Sequence, residues 1–343
     1  MNEPIWRASV RALITTFAKW IGILAALILL IYYVNNLEES ELEISTDFSE
    51  EIQPNAEGVR KKQTSTAPVI LEVHINGVIG TEGLEQKDLE KLLVESRENS
   101  LKNNRVKAIL LRLNTPGGGA ADADGMYRAL LEYKKRYNVP VYGYIDGICA
   151  SGGVYVSCAA DELYASDVSL IGSVGVITSS FLNFSKTMDK IGVDALTIYA
   201  GKGKDELNPL RPWKEGESDN IKDVIDATYK NFVAVVSKNR PKLTSDVLTK
   251  ETGAKIFIAN DALQLGFIDG LASGRDEVLK KLLVKLSIED DFYQVVSLSS
   301  TNWYNQLFKA ESPLFTGKIT HHFLNSDQIP KRLYNQPLYL YQP

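Results

Sequence analysis

The chain has 343 residues, of which 44% are hydrophobic and 24% are charged, and its net charge at pH 7 is −5. This length suits one large domain with additional segments, and the composition is that of a folded protein. The acidic balance, without a patch of interleaved basic and aromatic residues, argues against a nucleic-acid partner. Its two cysteines, Cys149 and Cys158, supply no disulfide framework, and we expect both to be small buried apolar side chains.

Residues 1–37 contain a predicted membrane anchor. The sequence is almost continuously apolar from Trp20 to Val34, and the stretch ALITTFA extends it on the amino side, with Lys19 between the two. A helical span needs about 20 apolar residues, which this segment supplies if Lys19 reaches the membrane interface. The segment ends in YYVNNL rather than in a small-residue cleavage site. We therefore expect a retained anchor and not a cleaved signal peptide.

Basic residues fix the predicted orientation of this anchor. Arg7, Arg11 and Lys19 precede or border the span, and the next basic residue after it is Arg60. The positive-inside rule then places the short amino end in the cytoplasm and the rest of the chain outside. Residues 38–66 are acidic and contain Pro, Ser and Thr, which is typical of a solvated linker.

Residues 67–309 are predicted to form an α/β domain with buried parallel strands. Apolar, β-branched runs of strand length are Val69–Ile75, Val106–Asn114 and Val139–Ile145, with ELYAS, SLIGSVGVI and ALTIYA as shorter candidates. Apolar residues at helical spacing fill LEQKDLEKLLVESREN, MYRALLEYKKRY, residues 220–239 and DEVLKKLLVKL. Strands and helices thus alternate along the chain.

Three glycine-bearing corners follow predicted strands. They are NTPGGG (114–119), CASGG (149–153) and AGKGKD (200–205). In open α/β sheets the loops at the carboxyl ends of the strands form the binding site, so the three corners can converge there. Neither NTPGGG nor AGKGKD matches a phosphate-binding glycine motif. Taken alone, NTPGGG is equally consistent with a tight turn.

Ser151 of CASGG directly follows an apolar strand and precedes a helix-like run. A serine hydroxyl needs a base before it can act as a nucleophile. Two of the three histidines lie in the carboxyl tail and His74 lies in an early strand, which disfavours a Ser-His-Asp triad. Lys202 and Lys204 of AGKGKD remain as bases, provided that the site favours the neutral amine.

Attack on a carbonyl also needs hydrogen-bond donors for the oxyanion. The N–H of Gly152 is suitably oriented for this task, and the glycine-rich corner at residues 116–119 can bring a second N–H close because no Cβ obstructs it. These parts are consistent with a serine hydrolase, although their spacing alone does not establish one.

Four motifs together resemble the signal peptide peptidase A family, the bacterial membrane-anchored Ser-Lys proteases also called protease IV. In chain order they are LRLNTPGGG, GICASGGVYVSCAAD, SLIGSVGV and AGKGKDELNPLRP. The resemblance covers about residues 68–308 and fits the single-copy form of the family. It implies a crotonase-like fold of ββα units, as in the Clp protease.

The resemblance also implies roles for individual residues. Ser151 matches the nucleophile and Lys204 the general base, Gly118 and Gly152 match the oxyanion donors, and Ser173 matches the serine that hydrogen-bonds the lysine. AGKGKD departs from the family's usual SGxxKD, and a slip of two residues would put Lys202 in place of Lys204.

The function implied by the resemblance is that of a serine endopeptidase in the bacterial inner membrane, with a cytoplasmic amino end and an extracytoplasmic catalytic domain. It would degrade released signal peptides and other short apolar peptides through an acyl-enzyme, without a metal or organic cofactor. Nucleophile and lysine would come from neighbouring subunits of a homo-oligomeric ring, commonly an octamer. The alternative is a catalytically silent crotonase-fold scaffold of membrane proteins. Residues 310–343 match nothing in the family, and their role is left open.

Overall fold

The computed structural model describes residues 15–30, 48–288, 290–300 and 338–340. The chain divides into two units, Met1–Thr46 and Asp47–Pro343. In the first unit, residues 15–30 are helical. Within the described part of the chain, no helix combines the length and the apolar character that a membrane crossing requires. Residues 1–14 and 31–37 of the predicted anchor lie outside the described residues, so the anchor stays a prediction.

The second unit is built on a large, mostly parallel sheet. In spatial order its strands are β1 (Phe48–Gln53), β10 (Gln294–Ser300), β2 (Val69–Asn76), β3 (Val106–Thr115), β5 (Val141–Ala150), β6 (Glu162–Ala165) and β9 (Gly270–Leu271). The short strand β7 (Leu170–Gly172) pairs in parallel with β5, and β8 (Ile256–Ile258) pairs antiparallel with β7. A separate two-stranded antiparallel sheet joins β4 (Gly117–Gly119) to β11 (Leu338–Leu340).

Helices cover both faces of the large sheet. They are α1 (Gln86–Glu95), α2 (Ala120–Tyr137), α3 (Gly152–Ser157), α4 (Ser185–Ile191), α5 (Asp219–Asn239), α6 (Ala259–Leu265) and α7 (Arg275–Lys285). Alternate residues of each central strand face opposite sides, as the two-residue period of a strand requires. Leu71 and Ile109 belong to the larger core, with α1, α2, α3 and α5, whereas Ile70 and Leu110 pack with α7. The predicted α/β class is confirmed.

Two local expectations are wrong. ALTIYA (195–200) forms no strand, and Leu196 and Ile198 are 86% and 88% exposed. The segment has the alternation of a strand but lies against no partner strand in the described part of the chain. The predicted linker contains β1, which pairs antiparallel with β10. Its acidic composition suits an edge strand, because charged side chains are tolerated where one edge faces water.

Candidate active site

Ser151 lies at the sharp turn between β5 and α3. Residues Tyr142–Ile145 of β5 pair with β6, whereas Ile148–Ala150 pair with β7. The Ser151 N–H donates to the Gly172 carbonyl at the end of β7, at 2.8 Å. Ser151 has φ 52° and ψ −113°, a conformation that non-glycine residues rarely adopt and that clusters at functional sites. The residue is 1% exposed, so the fold buries Ser151 at this turn.

The glycine corner after β3 approaches the same turn. The Gly117 carbonyl accepts a hydrogen bond from Ile79 N–H at 2.8 Å, and Gly119 N–H donates to the Ile79 carbonyl at 2.9 Å. Because successive peptide groups of a strand point to opposite sides, the Gly118 N–H points away from Ile79. A Cβ added at Gly152 would lie 3.2 Å from the Gly118 nitrogen. The two predicted oxyanion donors are therefore neighbours.

A strand from the carboxyl tail lies beside these two amides. In β11, Tyr339 is opposite Gly118. On the other edge of β11, Leu338 N–H donates to the Ile177 carbonyl at 2.9 Å, and the Leu338 carbonyl accepts from Ile177 N–H at 3.1 Å. A Cβ added at Gly152 would lie 3.0 Å from the Tyr339 carbonyl oxygen. That oxygen therefore lies beside Gly118 and Gly152, the two residues predicted to supply the oxyanion donors.

The Tyr339 side chain fills a pocket that the sequence analysis missed. Its ring stacks on Tyr155, with centroids 5.2 Å apart, and contacts Phe232 of α5 at 4.5 Å. Its hydroxyl donates to the Thr228 carbonyl at 3.1 Å, and the Tyr155 hydroxyl donates to Asp124 at 2.7 Å. Burial raises the pKa of both phenols, so they are neutral at neutral pH. The pocket has aromatic walls and one carbonyl acceptor at its base.

The lysine corner is not joined to Ser151 within one chain. Lys202 and Lys204 are both exposed. Among the described residues, no hydrogen bond or ion pair links either lysine to Ser151, whose Oγ donates weakly to the Gly175 carbonyl at 3.4 Å. Two ion pairs stabilise the corner itself. Arg211 bonds to Asp205, and Arg211 Nη1 donates to Glu217 at 2.6 Å. Two of the three predicted corners converge, and the third faces solvent.

Ser173 lies directly after Gly172, whose carbonyl accepts the hydrogen bond from Ser151 N–H. Its N–H donates to the Lys255 carbonyl at 2.8 Å, and its φ is 58°. The backbone bond from Ser151 to Gly172 therefore places Ser173 next to the site, and its role toward the lysine remains a prediction.

The two cysteines are free and buried, as expected. Burial raises the pKa of both thiols to about 12, so neither is a thiolate at neutral pH. Cys149 lies two residues before Ser151 but offers no competing nucleophile.

Residues 133–289 match the family model described as Peptidase family S49. The chain is similar to "Putative signal peptide peptidase SppA" of Enterococcus faecium, at 31% identity over 62% of this chain and 63% of that protein. It is similar to "Putative protease MJ0651" of Methanocaldococcus jannaschii, at 33% identity over 58% of this chain and 62% of that protein. "Protease 4" of Haemophilus influenzae is 32% identical over 52% of this chain and 28% of that protein.

The chain thus spans less than two thirds of the length of the first two of these relatives. Among solved structures it is similar to a ClpP1 point mutant from Listeria monocytogenes, with a TM-score of 0.40 and 16% identity, over 60% of this chain and 94% of that chain.

Proposed function

The chain belongs to peptidase family S49, and we propose that it is a serine endopeptidase in which Ser151 is the nucleophile. One observation carries this proposal. An extended segment, β11, lies across the site with the Tyr339 carbonyl oxygen beside the amides of Gly118 and Gly152. Serine peptidases need a peptide carbonyl held in this way next to a nucleophile.

The proposed reaction proceeds through an acyl-enzyme. Ser151 Oγ attacks the carbonyl carbon of the substrate, and a neutral lysine amine takes the hydroxyl proton. The carbonyl oxygen becomes an oxyanion, which accepts hydrogen bonds from Gly118 N–H and Gly152 N–H. The C–N bond then breaks as the lysine returns the proton to the leaving amine. The neutral lysine amine next takes a proton from a water molecule, which attacks the ester carbonyl, and the lysine returns that proton to Ser151 Oγ as the ester C–O bond breaks.

We propose that this lysine is Lys204 of a second copy of the chain, and that Ser173 hydrogen-bonds it. In one chain Ser151 is buried, whereas Lys204 is exposed on a segment that also exposes Leu196 and Ile198. Covering that segment with a neighbouring subunit would remove the apolar side chains from water and favour the uncharged amine that a base requires. A closed homo-oligomeric ring, octameric in the resemblance, satisfies this head-to-tail arrangement.

The proposed substrates are extended peptides. The groove between β4 and residue 177 binds a strand along both edges, which is peptide recognition by strand addition. The pocket of Tyr155 and Phe232 favours a large aromatic or apolar side chain before the scissile bond. Released signal peptides and other short apolar segments carry such residues. A chain anchored in the bacterial inner membrane, with its catalytic domain outside, would meet them at the bilayer.

The test is covalent labelling of the full-length protein with a fluorophosphonate, followed by mass spectrometry, together with hydrolysis of a fluorogenic peptide. We expect one adduct on Ser151 and loss of both labelling and hydrolysis in Ser151→Ala. Ser157→Ala is a matched control, since it also removes a buried serine hydroxyl, at the last residue of α3, and it should retain both. Undiminished hydrolysis by Ser151→Ala would refute the assignment.

A further inference from the structure

We infer that Thr115 is a positioning residue that fixes the spacing of the two oxyanion amides. The inference rests on the proposed function, because it assigns the residue a part in that same site. Thr115 ends β3, pairs with Cys149 of β5 and is fully buried. It therefore lies between the glycine corner and the strand that leads to Ser151.

The hydroxyl of Thr115 sets the direction of the glycine corner. Gly117 N–H donates to Thr115 Oγ1 at 3.0 Å in a buried environment. Gly117 has φ 97°, a conformation that favours glycine. With the Gly117 amide held by Thr115, the Gly117 carbonyl and the Gly119 amide both face Ile79. The Gly118 N–H is the group left to face the site.

The methyl group of Thr115 contacts the other half of the site. A Cβ added at Gly153 would lie 2.7 Å from Thr115 Cγ2 and 3.3 Å from the Thr115 carbonyl oxygen. The methyl therefore packs on the backbone of Gly153, the residue after the donor Gly152. The Thr115 side chain therefore contacts both halves of the site. Its hydroxyl accepts a hydrogen bond from Gly117 N–H, and its methyl group packs on the backbone of Gly153.

Loss of the hydroxyl would leave the buried Gly117 N–H without its acceptor, and the corner would rotate to satisfy it. The Gly118 amide would then point less accurately at the oxyanion. Because charge develops on that oxygen only in the transition state, the effect falls on kcat, while KM changes little. Complete removal of an oxyanion donor costs about 10²–10³ in kcat, so misdirecting one donor should cost about 10- to 100-fold.

The experiment compares Thr115→Val, which keeps the methyl position, with Thr115→Ser, which keeps the hydroxyl, in the full-length protein. We expect Thr115→Val to lose about 10- to 100-fold in kcat and in the rate of fluorophosphonate labelling, with KM within about twofold. Thr115→Ser should restore most of both rates. Ser96→Ala, which removes a buried hydroxyl that donates to the Leu93 carbonyl, away from the site, should lower stability and leave kcat unchanged.

Wild-type kcat in Thr115→Val would overturn the inference. If Thr115→Val fails to fold, as judged by circular dichroism, the pair Thr115→Ser and Thr115→Ala decides, since these two differ only in the hydroxyl. At least tenfold higher kcat in the serine variant supports the role, and equal kcat refutes it. An inactive wild-type protein would refute the proposed function instead, so the two failures are distinguishable.

Discussion

Under the proposed function, the carboxyl-terminal strand β11 occupies the place of a substrate, so substrate and tail should compete for the site. Tyr339 is 2% exposed and its hydroxyl is bonded to the Thr228 carbonyl. Burial of a large apolar side chain contributes about 1.5–3 kcal/mol, and such a hydrogen bond adds about 0.5–1.5 kcal/mol. Tyr339→Ala keeps the backbone pairing with β4 and loses about 2–4 kcal/mol. The equilibrium constant for binding of the tail to the site should then fall by about 30- to 1,000-fold.

The assay is hydrolysis of a short fluorogenic peptide by the full-length protein. Since the tail is absent from the complex with substrate, Tyr339→Ala should lower the apparent KM and leave kcat unchanged. Once most molecules have released the tail, further weakening of tail binding no longer lowers the apparent KM. The apparent KM can therefore fall by at most the same factor as the equilibrium constant for tail binding. Tyr339→Phe loses only the bond to Thr228 and should lower the apparent KM by up to about 10-fold. An apparent KM in Tyr339→Ala equal to that of the wild type would refute the competition.

Two further predictions concern the base and the acid stability of the fold. Lys204→Ala should abolish peptide hydrolysis while Lys202→Ala retains it, because Lys204 is the proposed base; the reverse result, in the same assay, would move the base to Lys202. Burial opposes the charged form of Glu72, but the hydrogen bond to His74 and the charge of Arg275 outweigh it and lower the pKa of Glu72 to about 2, from 4.5. The stability that this carboxylate contributes is complete above about pH 4.5 and is lost as the pH falls toward 2, about 3 kcal/mol in all. Urea unfolding at stepped pH should show this slope in the wild type and a shallower one in Glu72→Gln, and parallel profiles would contradict it.

The sequence predicts those parts of the fold whose conformation depends on residues that are close together in the chain. Strands β2 and β3 are apolar runs bounded by polar turn residues, and such runs are buried wherever a sheet is covered on both faces. The corner at Ser151 was predictable because a small-residue turn between a strand and a helix has few alternative conformations. β5 continues to Ala150, beyond the predicted end at Ile145, since its last residues change partner from β6 to β7.

The features that the sequence does not predict depend on contacts between distant residues. Periodicity in ALTIYA predicts a strand, but periodicity does not say whether a partner strand exists in the same chain. The aromatic pocket joins Tyr155, Phe232 and Tyr339, which are far apart in the sequence. The one available signal was the alternation in PLYLY, which is typical of a strand and lies in a tail without family resemblance. It predicts a strand there, but gives no indication of where that strand docks.

The backbone contacts of the groove restrict the form in which a substrate can bind. Leu338 is bonded on one edge to Ile177, and Tyr339 faces Gly118 on the other, so the occupant needs free N–H and C=O groups on both sides. A helix satisfies those groups internally and is about 10 Å wide, whereas neighbouring strands lie about 4.8 Å apart. An apolar segment that is helical in a bilayer must therefore leave its helical form before Ser151 can reach a carbonyl. Under the proposed function, selection then depends on two properties, which are extension of the backbone and the side chain that enters the pocket of Tyr155.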